Sequence, residues 1–310
     1  ADRVMEVRNS GASIGFGRSL YEHGDLDKAP YYYELWEEAP ADAVNAQGVT
    51  WAQATPEQKE AGGFKKDGVT YDSRHFVAKV SLGTSGDKNE FMTAKIEYFQ
   101  GSWQGSPDGL TPVPPTESGA ADKVLFENAY EAEGSFAGIQ VAKELLGRDM
   151  KADEFRFSIE GVDEASSAKL AEGDKSFGVA DTPKNTMCKM GPKLALSFTQ
   201  ADAGKSYSFM VSENPVAPDG NPLPGVAYDK SEYLVTVEVS DNGDGTLSTV
   251  PTVLLETDSD GNHRHEQLDL SVILDKETGL YQLDFVNKYH AASAYSGITV
   301  TKTMQGKDMP

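Results

Sequence analysis

Three polar residues stand where strand alternation places core. Over 139–145, Lys143 falls on the face of Ile139, Val141 and Leu145. Over 207–213, Glu213 joins Tyr207, Phe209 and Val211, and over 283–289 Asn287 joins Leu283, Phe285 and Tyr289. An unpaired buried charge is costly, so the pattern needs a reason. Desolvation favours the neutral amine of a buried lysine, and the neutral amine is a nucleophile. The same desolvation keeps a carboxyl protonated, able to donate a hydrogen bond and polarise a carbonyl. An asparagine carboxamide held against both can be attacked at Cγ and lose ammonia. Proximity of well-oriented groups supplies up to ~7–11 kcal/mol of the barrier reduction. The product is a neutral Lys–Asn amide that needs no oxidising compartment. For any one of the three, a strand end with its polar head in water explains the position as well.

Repetition decides between those readings. VLFENAY at 124–130 recurs as LDFVNKY at 283–289, and IQVAKELLGRDM at 139–150 as ITVTKTMQGKDM at 298–309. The offsets agree, with 287 − 128 = 159 and 302 − 143 = 159. GVTYD at 68–72 returns as GVAYD at 225–229, and YYYELWEEAP from Tyr31 as YSFMVSENPV from Tyr207. Glu37 therefore shares a face with Tyr31, Tyr33 and Leu35, Asn128 with Val124 and Phe126, and Lys302 with Ile298, Val300 and Met304. Solvent-facing residues have no reason to recur this way. The chain is a duplicated domain.

The repeats also set the expected boundaries. Residues 1–130 form a first domain whose opening strand is absent, since nothing in 1–30 resembles the lysine segment. Residues 131–290 form a complete domain, and 291–310 are a linker plus the opening strand of a further one. Period-2 alternation predicts strands at 139–145, 154–160, 193–199, 206–213, 233–239, 247–255, 268–274 and 281–289. Residues 163–175 read as a helical turn or a loop, and 40–66 as a loop or short helix inserted in the first domain. Seven or eight short strands per repeat predict an all-β chain of tandem immunoglobulin-like β-sandwiches.

These motifs resemble the isopeptide-linked pilin domains of Gram-positive surface proteins, the streptococcal pilin type. Such domains open with a strand like VxKxLxGRxM, here VAKELLGRDM with Lys143. They continue with YxYxVxE and GVxYD, here YSFMVSE with Glu213 and then GVAYD, and close with FxNxY, here FVNKY with Asn287. The resemblance implies a spontaneous Lys143–Asn287 isopeptide bond assisted by Glu213, in a sandwich serving as a stalk or pilus-shaft segment at the bacterial cell surface. It covers 139–289, and 14–130 through the later motifs alone. There it carries over to Glu37, with Glu38 as its neighbouring alternative, and to Asn128. Lys302 of one molecule is expected to complete the first domain of the next, head-to-tail, because an unpaired edge accepts a strand.

Composition narrows the partners. The 310 residues hold 28 Lys+Arg and 49 Asp+Glu, a net charge of −21, which opposes binding to nucleic acid or anionic membrane. No apolar run is long enough for a membrane span. Cys188 is the single cysteine, so no intrachain disulfide is expected, and it reads as a small core hydrophobe. Neither a metal nor a cofactor is expected: Asp258, Asp260 and Asn262 have calcium-like spacing, but His263 stands where that loop needs glycine. The His263–His265 pair reads as an exposed loop. No carboxylate pair marks a hydrolase, so no external-substrate enzyme is expected. A second functional reading is an adhesin recognising a host glycan or protein through the 40–66 or 100–120 loops, with Trp103 as the best exposed aromatic.

Overall fold

The computed structural model describes residues 5–7, 14, 16, 19–86, 91–113, 124–136, 138–151, 154–171, 176–178, 188–190, 194–217, 219–291, 297–302 and 304–306. The chain divides into two compact units, Ala1–Tyr130 and Glu131–Pro310. Both are built from strands, with only short helical pieces between them.

In the second unit two sheets face one another. One runs in the order Ser176–Gly178, Arg156–Gly161, Ser206–Asn214, Glu232–Asp241, Leu247–Thr257, His263–Gln267. The other has the opening strand Ile139–Leu146 between Cys188–Met190 and the closing strand Leu280–Tyr289, with Val226–Ala227 beyond. The middle strand, SYSFMVSEN, alternates without a break: Tyr207, Phe209, Val211 and Glu213 are buried and their neighbours are not. Rings join the layers, with Phe157 and Tyr233 centred 5.0 and 5.3 Å from Phe285. Opening and closing strands run parallel over eight residue pairs, Tyr281 opposite Ile139 through Lys288 opposite Leu146. Gly147 ends the opening strand at φ +101°, where a Cβ would lie 2.4 Å from the Tyr289 carbonyl oxygen. Only glycine permits both the backbone angle and that approach.

The first unit repeats the middle of this plan. Tyr31–Leu35, Phe76–Ser85, Phe91–Gln100 and Thr111–Pro112 form one antiparallel sheet. Tyr31 pairs with Val80 as Tyr207 pairs with Val237, so repeat and register agree. A three-stranded sheet, Lys65–Lys66, Val69–Thr70 and Ala129–Tyr130, stands apart from it. The 40–66 segment folds around Trp51 and Phe64, whose rings meet edge-on at 5.0 Å beside Ala39 and Ala43. It contains the helix Pro56–Ala61, started by a Thr55–Gln58 capping box with Pro56 in its first turn.

Several expectations change. Residues 268–273 form no strand: the Asp269 carboxylate accepts from the Ser271 N–H and starts the short helix Leu270–Ile273, and of the expected span only Leu274 enters a strand, the two-residue Leu274–Asp275. Residues 164–171 take the helical option. Tyr33, placed inward by alternation, is exposed. Residues 124–128 and 298–302, expected as parts of strands, have no strand pairing. A strand needs a neighbour for its N–H and C=O groups, and neither segment has one among the described residues. Trp103, read as exposed, is half-buried and stacks on Tyr32 at 4.4 Å. Cys188 lies in a strand opposite Lys143, but its side chain lies outside what is described.

Candidate functional site

Lys143, Glu213 and Asn287 meet in the core of the second unit. Lys143 and Asn287 come from the neighbouring parallel strands, and Glu213 reaches across from the other sheet. Lys143 and Asn287 are fully buried, and the Glu213 side chain is 0% exposed. Lys143 Nζ lies 3.0 Å from Glu213 Oε2, and Asn287 Nδ2 donates to Glu213 Oε1 at 2.8 Å. One carboxyl thus bridges amine and amide. The Phe155 and Phe157 rings, centred 4.9 and 5.9 Å from Nζ, make the rest of the surroundings apolar. Burial pushes the Glu213 carboxyl up to about 7, against the pull of the adjacent Lys143 ammonium. A carboxyl with that pKa gives and takes protons near neutral pH.

Asp229 completes the set, and sequence reasoning missed it. Its backbone N–H donates to Asn287 Oδ1 at 2.7 Å. Its carboxylate accepts from the N–H groups of Ser231 at 2.8 Å and Val286 at 2.6 Å, fastening the turn to the closing strand. A signal existed: Asp229 is the last residue of the repeated GVAYD, noted as a motif without a role. The expectation that Glu213 polarises the Asn287 carbonyl also changes. The carboxyl contacts the amide nitrogen, while the carbonyl oxygen faces a main-chain donor.

The first unit holds the same arrangement, with no lysine in it among the described residues. Asn128 Nδ2 donates to Glu37 Oε1 at 2.8 Å, and the Asp72 N–H donates to Asn128 Oδ1 at 2.8 Å. Asp72 accepts from the Glu127 N–H at 2.7 Å and the Arg74 N–H at 2.9 Å, as Asp229 does from Val286 and Ser231. Glu37, rather than Glu38, takes the bridging place; Glu38 accepts from the Trp36 indole N–H. No lysine among the described residues is hydrogen-bonded to Glu37 or Asn128. Glu37 is half-buried and Asn128 exposed, whereas their counterparts are buried. Lys302 is exposed in an unpaired segment in which Ile298 is 91% and Val300 84% exposed.

The FctA family model, a Spy0128-like isopeptide containing domain, matches residues 139–290. Among solved structures, the chain is similar to the major pilin from Streptococcus pyogenes at 18% identity over 51% of this chain and 50% of that one, with a TM-score of 0.24. It is also similar to the major pilin protein T-13 of the same species at 11% identity over 72% and 62%, with a TM-score of 0.17. The chain thus spans about half the length of the first of these pilins. No curated protein matches.

Proposed function

We propose, from the match of residues 139–290 to the Spy0128-like isopeptide containing domain, that the chain is a structural segment of a Gram-positive surface pilus or adhesin stalk, locked by a Lys143–Asn287 bond that the domain makes on itself. The observation that carries this reading is the single buried carboxyl touching both the amine and the amide.

The reaction balances within the site. Lys143 Nζ passes a proton to Glu213 Oε2 and attacks Asn287 Cγ. Negative charge developing on Oδ1 meets the Asp229 N–H, a main-chain donor already in place. The carboxyl then protonates Nδ2 from its Oε1 side, the Cγ–Nδ2 bond breaks, and the carboxyl relays the second Nζ proton to the departing ammonia, which leaves as ammonium. One C–N bond forms and one breaks. No oxidant, metal or cofactor takes part, and the carboxyl ends as it began. The domain reacts once, on itself, so it is no enzyme toward an external substrate.

The topology suits a stalk. Tension entering at the opening strand and leaving by the closing strand would pass through the new bond, bypassing the 287 − 143 − 1 = 143 residues between its ends. Exposure at a cell surface, outside the reducing cytoplasm, places no demand on an amide cross-link. Among the described residues no helix is long and apolar enough to cross a membrane. In the first unit we read Glu37 and Asn128 as the acceptor half of a second such bond, completed by a strand of the Lys302 type from a second copy or a neighbouring repeat. The adhesin reading rests on a different observation, the tryptophan-lined cavity described below.

Intact-mass measurement under denaturing conditions tests the Lys143–Asn287 bond. Two further outcomes follow from the geometry. Below pH about 7 the Glu213 carboxyl is protonated and cannot relieve the ammonium of its proton. Bond formation during refolding is therefore expected to slow up to tenfold per pH unit on the acid side, and a flat profile from pH about 5 to about 8 would exclude the carboxyl as proton carrier. Asp229→Ala loosens the turn that holds its own N–H on Oδ1. It is expected to fold and to cross-link at least tenfold more slowly, with Asp229→Asn restoring part of the rate, since one misaligned donor costs ~1.5–3 kcal/mol. An unchanged rate in Asp229→Ala would make the turn irrelevant to the chemistry.

A further inference from the structure

The first unit contains a site that neither the cross-link nor the repeat explains. A cavity of about 300 Å³ lies between the end of the Tyr31–Leu35 strand, the inserted helix and the Ser102–Gln104 loop. All three tryptophans of the chain, Trp36, Trp51 and Trp103, line it. Each ring is held: Trp36 lies parallel to His75 at 6.0 Å, Trp103 stacks on Tyr32, and the Lys59 ammonium sits 4.6 Å from the Trp51 ring centre.

Three carboxylates line the same cavity, and fixed donors orient each of them. Glu34 accepts from the Trp103 N–H at 3.1 Å and pairs with His75 Nδ1 at 2.8 Å. Glu38 accepts from Trp36 Nε1 at 3.2 Å, and Glu60 from the Ser102 hydroxyl at 2.5 Å. A carboxylate offers roughly four acceptor positions, so these groups retain capacity for further donors. The Trp51 indole N–H is buried without an acceptor among the described residues, although a buried indole N–H usually has one.

We propose that this cavity binds a neutral sugar ring. Its volume stands at the lower end of the ~300–1,000 Å³ typical of small-ligand sites, which suits one ring. Indole faces pack against the C–H face of a pyranose, and oriented carboxylates accept from its hydroxyls. The Trp51 indole N–H is itself out of reach of solvent, so recognition of hydroxyls falls to the carboxylates. A cationic ligand would also meet Lys59, which already occupies the Trp51 face. An anion would meet three carboxylates. The site rests on the first unit's own residues, so it stands or falls independently of either cross-link.

Because no tryptophan lies elsewhere in the chain, fluorescence excited selectively at tryptophan, beyond the absorption of the 13 tyrosines, reports this cavity. The full chain would be titrated with the methyl glycosides of glucose, galactose, mannose, N-acetylglucosamine and N-acetylgalactosamine to about 50 mM, past the millimolar affinity expected of one ring. A saturable shift or quench with at least one glycoside is expected. Trp103→Ala should abolish it. Glu38→Gln, which keeps size and an acceptor, should weaken it about tenfold, the loss of one charge-assisted bond of roughly 1.5 kcal/mol. No saturable change with any glycoside overturns the proposal. So does saturation by tetramethylammonium or trilysine without any by sugars, which would mark a cation site. Equal affinity in the parent, Glu38→Gln, Glu34→Gln and Glu60→Gln would remove the carboxylates from the binding site and overturn it as well.

Discussion

Unfolded and weighed, the purified chain is expected to fall one ammonia short of its sequence mass, and Lys143→Ala, Asn287→Ala and Glu213→Ala to weigh what their sequences dictate. The amine and the amide each lie within hydrogen-bond reach of the carboxyl in a site closed to water, so the proposed reaction would need folding and nothing else. Asn287→Ala is the cleanest reference for stability, because it leaves the Lys143–Glu213 pair intact. Glu213→Ala instead strands a buried amine, so its stability mixes two effects. Tying residue 143 to residue 287 closes a loop longer than 100 residues. By analogy with a disulfide of that span, this is worth about 5 kcal/mol. For a domain of this size the difference corresponds to a melting temperature lower by about 10–20 °C in Asn287→Ala. Reductant should change neither value. A parent chain at full sequence mass would remove the bond, and with it the stalk reading in its present form.

How much of this was legible beforehand depends on whether a residue's neighbours were local. Lys143, Glu213 and Asn287 were visible because period 2 fixes which face a residue occupies, and their strands are long and paired on both sides. The same rule failed for Tyr33 and for residues 124–128. Facing inward requires something to face, and the first unit has no lysine strand beside its closing segment among the described residues. Asp229 was hidden for another reason. Its contribution is a main-chain N–H, and no side-chain pattern announces where a backbone donor points. Residues 268–274 alternate like a strand, yet one Asp269 cap outweighs that over so short a span. The cavity around Trp36, Trp51 and Trp103 draws on three separated segments, and only the fold brings them together.

A synthetic peptide of residues 298–309, offered in excess, is expected to attach covalently to the first unit through Lys302 and Asn128. The peptide repeats the opening strand at six of its twelve positions, including the lysine, the glycine and the closing Asp-Met. In the second unit the equivalent Ile139, Val141 and Leu145 are fully buried. Ile298 and Val300 are 91% and 84% exposed and Met304 45%, so most of the burial of the first two and under half of the third is still to be gained, at up to ~1.5–3 kcal/mol per side chain. The acceptor is already set: Glu37 holds the Asn128 amide nitrogen and the Asp72 N–H holds its oxygen. Seating the strand would exclude water from Asn128 and supply the missing amine. The chemistry is then that of the second unit, with ammonia leaving and the carboxyl regenerated. The product should weigh chain plus peptide less one ammonia, and should not form with Lys302→Ala peptide or with Asn128→Ala or Glu37→Ala chain. At high concentration the chain should build boiling-resistant multimers by the same route, head-to-tail because donor and acceptor surfaces differ. Binding without coupling would keep the strand exchange and discard the second bond. A peptide that neither binds nor couples would discard both, and leave the pairing of Glu37 with Asn128 as a structural hydrogen bond that closes the turn at Asp72.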